Sequence, residues 1–262
     1  MSFARSSSAN PPSLRTSVTP TNTSLSDGSM PSSMTARSDS PGGEIALAIK
    51  AIRAHEARLL PLAKDMLRAD GGALFGVDFI ALAAINRSAA LTRGFLQMLE
   101  DRNFLCLAAL LRLQLDSALR FAAFFFVKQP HEVAIAVLRG MHLGKFKDRT
   151  GKALTDRRLT ELLATAYPWI PNVYRQTSGY IHLSEKHILA TFGSEKPANA
   201  DLEVQLGPTT GDALAPELFA EAAEAYVATL DVLICYVEGW TSTKNNPRGN
   251  PPVPDVRART RR

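Results

Sequence analysis

Residues Asn103–Lys128, NFLCLAALLRLQLDSALRFAAFFFVK, are apolar on almost every side when wound at helical pitch, and a helix of that kind belongs at the centre of a bundle. Three charges, Arg112, Asp116 and Arg120, interrupt the run, and they fall at i, i+4 and i+8 on one stripe. Asp116 four residues ahead of Arg120 is the favourable order for a helix-surface pair. Charges in so apolar a helix need partners if buried, so the stripe marks where a second element, a cleft or a partner meets the central helix. The same charges leave no uncharged run near the roughly 18 residues that a membrane span requires.

Working outward, Glu44–Ala69 places Ile45, Ile49, Ile52, Leu59, Leu62 and Met66 at helical spacings, with Pro61 expected to kink or split the helix. Asp70-Gly71-Gly72 stops it. Asp78 is placed to cap a second helix running to Glu100, with Phe79, Leu82, Leu91, Phe95 and Met98 expected toward the core. Beyond the central helix, a short helix over Glu132–Arg139 ends near Gly140. A loop then turns at Gly144 and Gly151, and Thr155 or Asp156 caps Arg157–Ala166. Tyr167-Pro168-Trp169-Ile170-Pro171 ends that helix, and Pro171 suits the first turn of the next.

β-forming residues cluster at 187–192 and 202–206 with Gly193 and Pro197 between them, which predicts a small hairpin inserted near 187–206. Pro216 opens a last helix in which Phe219, Ala223, Tyr226, Leu230, Leu233, Val237 and Trp240 form an apolar seam suited to bundle packing or a dimer contact. The expected fold is therefore all-α: a helical bundle over 44–240 with an inserted β-hairpin. Ser, Thr, Pro, Asn and Gly dominate residues 1–43, and Pro and Arg dominate 241–262, so both are expected to be disordered tails.

The sequence pI of about 9.4 points toward polyanions, but the charge is unevenly placed. The C-terminal tail carries five Arg and Lys244 against Asp255, net +5, and the N-terminal tail has three Arg against two Asp, net +1. Subtracting both from the chain's +5 leaves the core at −1. Within that core one basic cluster stands out. Arg139, Lys145, Lys147, Arg149, Lys152, Arg157 and Arg158 face only Asp148 and Asp156 across twenty residues. Cys106 and Cys235 sit in apolar helical patterns and are expected as buried, reduced thiols of a cytoplasmic protein. His55, His131 and His142 show no partner pattern and are expected at the surface.

The densest chemistry lies in Tyr174–His187, YRQTSGYIHLSEKH. On one helix, Arg175 and His182 would share a face two turns apart, with Tyr174, Ser178 and His182 along a neighbouring line. An arginine and an imidazole so placed suit a phosphate and a proton transfer. His182, Glu185 and His187 match neither metalloprotease spacing of two histidines and a glutamate, so no metal is expected. No nucleophile elbow frames Ser178, and no glycine-rich phosphate loop occurs in the chain. The structural alternative has Arg175 paired with Asp116, His182 capping a helix end, and Ser178 and Ser184 bonding local backbone.

Arg175 followed after six residues by His182, in a helical domain, resembles the HEPN superfamily. The Tyr167-Pro168-Trp169-Ile170 lead-in, the run from Thr177 to His187 and the arginine-bearing central helix also resemble a bacterial all-helical family over most of 44–240. The second resemblance implies a fold. The first implies RNA or nucleotide binding, with metal-independent RNA cleavage by a symmetric dimer in many members and no cofactor. Carried over, Arg175 would neutralise the scissile phosphate and His182 would serve as general base or acid. Arg112, Asp116, Arg120, Tyr174, Ser178, Ser184 and His187 are the expected pocket residues around them. On a straight helix Arg175 and His182 would stand about 10 Å apart along the axis, so they would need a bend or a second subunit to meet one phosphate. The competing expectation is a non-catalytic helical interaction or dimerisation module with no membrane partner.

Overall fold

A computed structural model describes residues 41–192 and 214–245, and among them every extended regular element is a helix. In order these are α1 (Pro41–Arg68), α2 (Gly76–Glu100), α3 (Phe104–Ala122), α4 (Pro130–Leu138), α5 (Asp156–Ala164), α6 (Ile170–Ser178), α7 (Glu185–Phe192) and α8 (Pro216–Asn245). The expected hairpin is corrected: residues 187–192 belong to α7, and 202–206 lie outside the described residues. Ile188 and the aromatic and β-branched residues near it serve a helix, because strand propensity is a weak preference that local helical hydrogen bonding overrides. Among the described residues the nearest thing to β-structure is an antiparallel bridge between Lys147 and Ala153.

The central helix behaves as its composition requires. α3 packs against α2, α5, α6 and α8, and only Cys106 near its start is exposed. That exposure corrects the expected burial of Cys106, while Cys235 is buried. α3 stops at Ala122 and tightens into a 3-10 turn at Ala123–Phe125, all of it buried. Pro61 does not split α1; Pro61 and Ala57 are both exposed, so the carbonyl that proline leaves unbonded can be hydrated. Phe79 faces outward rather than into the core.

α8 is also largely buried. Every residue of its apolar seam from Phe219 to Trp240 packs inside the chain's own core, and between those two residues the exposed positions are Glu221, Glu224 and Asp231. The seam is thus spent on intramolecular packing. The core has two halves. One joins the end of α1 to the start of α2 and the C-terminal half of α8; the other joins the start of α1 to the end of α2 and the N-terminal half of α8. Val173 of α6 packs against both.

The boundary at residue 240 is also corrected, because α8 runs on to Asn245 and buries Lys244. Lys244 Nζ donates to Asp78 Oδ2 at 3.1 Å and to the Met66 carbonyl at 2.9 Å, and both charged side chains are shut off from solvent. Asp78 Oδ1 accepts from Trp240 Nε1 at 2.7 Å, and Oδ2 accepts the Phe75 backbone N–H at 2.7 Å. Asp78 therefore does not act as the N-cap, a position held by Phe75; it sits in the first turn and reaches back. His131 stacks edge-on to Trp240 at 5.3 Å, away from its expected surface position, and burial lowers its pKa despite the nearby Asp78.

A second link between α1 and α8 is His55, whose Nε2 meets Asp231 Oδ1 at 2.8 Å while Nδ1 meets the Ala51 carbonyl at 2.7 Å. The hydrogen bond to Asp231 raises its pKa, with burial opposing.

Two predictions follow from these links. Asp78→Ala strands the Lys244 ammonium in the core and should cost about 3–5 kcal/mol in urea unfolding, whereas the double change Asp78→Leu with Lys244→Met should cost clearly less. Because the pKa of His55 is raised in the fold, its contribution is complete below the unfolded value near 6.5 and is lost as pH rises through the folded value. The stability gap between wild type and Asp231→Asn should therefore be larger at pH 5.5 than at pH 9, as read from urea midpoints.

Candidate functional site

The stripe on α3 is where four helices meet. Arg120 Nε donates to Asp116 Oδ1 at 2.8 Å along α3, and its Nη2 donates to Asp156 Oδ1 of α5 at 2.9 Å. Arg87 of α2 reaches Asp116 Oδ2 at 3.2 Å. Arg112 lies 4.0 Å from Asp116 and 3.9 Å from Asp156, and its guanidinium stacks 4.1 Å over the Tyr174 ring of α6. Burial alone would lower the Arg120 pKa, but Asp116 and Asp156 raise it, so the guanidinium stays charged. Three arginines against two aspartates leave this network with one net positive charge.

α6 splits the expected site between two surfaces. Its Ile170 and Thr177 are buried, and Tyr174 turns inward to Arg112. Arg175, the next residue, turns outward to solvent, where Nη2 donates to Asn172 Oδ1 at 2.8 Å. The expected pairing of Arg175 with Asp116 does not form. The helix ends at Ser178, so Arg175 and His182 do not share a helix face, and the line from Tyr174 through Ser178 stops before His182. His182 stands exposed in the turn that leads to α7 and caps no helix.

That break has a local cause. Thr177 and Ser178 donate their hydroxyls back to Val173 and Tyr174 carbonyls, which weakens the end of the helix, and Gly179 follows. Gly179 leaves space that Lys186 fills, since a Cβ there would lie 2.8 Å from Lys186 Cδ. Ser184 Oγ donates to the Gly179 carbonyl at 2.6 Å and closes the turn. Ser178 and Ser184 thus bond local backbone. His187 Nδ1 accepts the Ser184 N–H at 3.3 Å, and its ring packs edge-on against Tyr180 at 5.9 Å. Tyr180 in turn contacts Phe104 at the start of α3.

Of the expected site residues, Arg112, Asp116, Arg120 and Tyr174 come together in one network, while Ser178, Ser184 and His187 shape the turn that carries His182. Sequence reading missed Arg87 and Asp156. They lie 29 and 36 residues from their partners on α3, beyond any local spacing signal. The basic cluster is also reshaped. Burial would raise the pKa of Asp148, but hydrogen bonds from Thr150, from the Lys152 backbone N–H and from Arg158 hold it well below the usual carboxylate range. Asp148 and Arg158 are thus a loop staple, while Arg139, Lys145, Lys147, Arg149, Lys152 and Arg157 remain exposed.

The chain matches no protein-family model, no curated protein and no solved structure.

The two surfaces of α6 make opposite forecasts for mutation. Asp116→Ala leaves Arg87, Arg112 and Arg120 with one carboxylate among them and should destabilise the protein by about 2–4 kcal/mol. Arg175→Ala should leave the urea midpoint unchanged, since its side chain is exposed.

Proposed function

We propose that this chain engages RNA at the exposed end of α6, with Arg175 and His182 acting there without a metal, as the HEPN resemblance implies. The carrying observation is the setting of Arg175: an exposed guanidinium whose hydrogen-bond partner is the neutral Asn172 amide, with no carboxylate partner among the described residues. A charge left available in this way suits a phosphodiester, which arginine binds in bidentate fashion. The end of α6 at Ser178 supports the same reading, because it removes the straight-helix separation that would keep Arg175 from His182.

In the proposed cleavage the ribose 2′-oxygen attacks phosphorus as the bond to the 5′-oxygen breaks, giving a 2′,3′-cyclic phosphate and a 5′-hydroxyl end. His182 takes the 2′-hydroxyl proton or gives one to the leaving oxygen, and Arg175 offsets the charge that gathers on the phosphoryl oxygens. One imidazole supplies one of these two transfers, and the other falls to water or to a second copy.

A second reading, a non-catalytic interaction module, draws on Ile181 and Leu183. These exposed aliphatic side chains flank His182, and Leu183 is 88% exposed. A protein partner would cover such a turn.

Fluorescence anisotropy on a labelled single-stranded RNA tests the first reading. Arg175→Ala should weaken binding about tenfold and flatten the dependence of log K on log salt by about 0.7, the loss of one phosphate contact. His182→Ala should keep binding and abolish the cyclic-phosphate product. An absence of RNA binding by the wild type overturns the RNA reading, and equal cleavage by wild type and His182→Ala overturns the catalytic one.

A further inference from the structure

The face formed by α2 and α4 carries apolar side chains that the fold leaves in water. Leu74, Phe79, Ile135, Leu138 and Met141 are each between 47% and 56% exposed except Ile135, at 43%. The elements that carry them touch: a Cβ on Gly76 would lie 3.2 Å from Ile135 Cγ1 and from Ala134 Cβ, and the Phe75 ring packs on His131 at 5.1 Å. Along the chain Ile135, Leu138 and Met141 recur every third residue, so the end of α4 and the turn after it present a row of aliphatic tips.

Arg139 lies within this row, and the loop that follows it in the chain is rich in cations. Arg149 donates its backbone N–H to the Phe126 carbonyl at 2.8 Å and its Nε to the Val127 carbonyl at 3.2 Å, which holds the basic loop against the segment entering α4. Residues 126–153 contain Lys128, Arg139, Lys145, Lys147, Arg149 and Lys152, and their only carboxylates are Glu132 and the buried Asp148. Asp148 is already neutralised by Arg158. The rim is therefore strongly positive.

We propose that this face binds peripherally to an anionic phospholipid surface, with Ile135, Leu138 and Met141 entering the headgroup boundary and the lysines meeting the lipid phosphates and carboxylates. The composition of the rim favours a bilayer over a protein partner. Lysine is depleted where proteins meet proteins, whereas flexible lysines beside exposed aliphatics are what an interfacial membrane contact uses. No helix among the described residues is long and apolar enough to cross a membrane, so the contact lies on the surface. It departs from the expectation of no membrane partner, and it does not depend on Arg175 or His182.

Co-sedimentation of the full chain with vesicles tests it, comparing phosphatidylcholine alone with phosphatidylcholine and phosphatidylserine mixed. Binding should require phosphatidylserine and fall about fivefold for each lysine removed in Lys145→Ala and Lys147→Ala. Leu138→Ser with Met141→Ser should reduce it at least tenfold, through the lost apolar insertion, while the urea midpoint moves far less because about half of each side chain already faces water. Both variants keep the basic C-terminal residues, so their loss of binding belongs to this face. Arg175→Ala should bind vesicles as wild type does, which separates this result from the RNA reading. Failure of the wild type to bind overturns the proposal in favour of a protein contact. Sensitivity to the lysines but not to the serine substitutions also overturns it, leaving a general polyanion surface.

Discussion

The Asp78 carboxylate and the Lys244 ammonium meet in a part of the molecule that water does not reach, and the three longest helices of the bundle are tied there. Lys244 brings the end of α8, Met66 the end of α1, and Asp78 with Phe75 the start of α2. Such a pair is poor evidence for net stability, since removing two ions from water offsets most of their attraction. Its consequence is register. Apolar contacts are non-directional, so α1, α2 and α8 could slide by a turn at little loss of buried area, but any slide would leave Asp78 or Lys244 buried without its partner. Trp240, bonded to Asp78 through its indole N–H, adds the same demand from one turn earlier in α8.

With that end of the bundle fixed, the position of α3 follows, and with it the second polar junction. Arg87, Arg112, Arg120, Asp116 and Asp156 join α2, α3 and α5, and Tyr174 attaches α6 by lying under Arg112. α6 is only nine residues long and a helix of that length is marginal by itself. Its orientation is therefore set by tertiary contacts: Tyr174 inward to the arginine, Ile170 and Thr177 into the core, and Arg175 left facing water. The exposure of Arg175, on which the functional reading rests, is thus a consequence of where Tyr174 is held.

The helices and the ladder Arg112, Asp116, Arg120 were legible because they are written in periodicities of three and four residues. The partners of that ladder were not, because Arg87 and Asp156 reach it across turns whose geometry no local spacing encodes. Lys244 misled for a related reason: a lysine among polar residues after an apolar seam reads as the start of a tail, and only the burial of Asp78 opposite it turns those last residues into core. The region around 187–192 misled in the other direction. Its β-forming residues suggested a strand, yet a strand needs a partner at the right register, whereas a helix satisfies its own backbone.

By itself the sequence determined an all-helical bundle with α3 at its centre, the ends of most helices, and an arginine and a histidine close together in the chain, since these depend on local hydrogen bonding and on the apolar period. The tertiary structure decided which charges pair, that the apolar seam of α8 serves the chain's own core, and that α6 ends before His182. It also decided which side chains remain in water, Arg175 on one face and Ile135, Leu138 and Met141 on another. Burial is a property of the packed whole, and no run of residues specifies it until the neighbouring helices are in place.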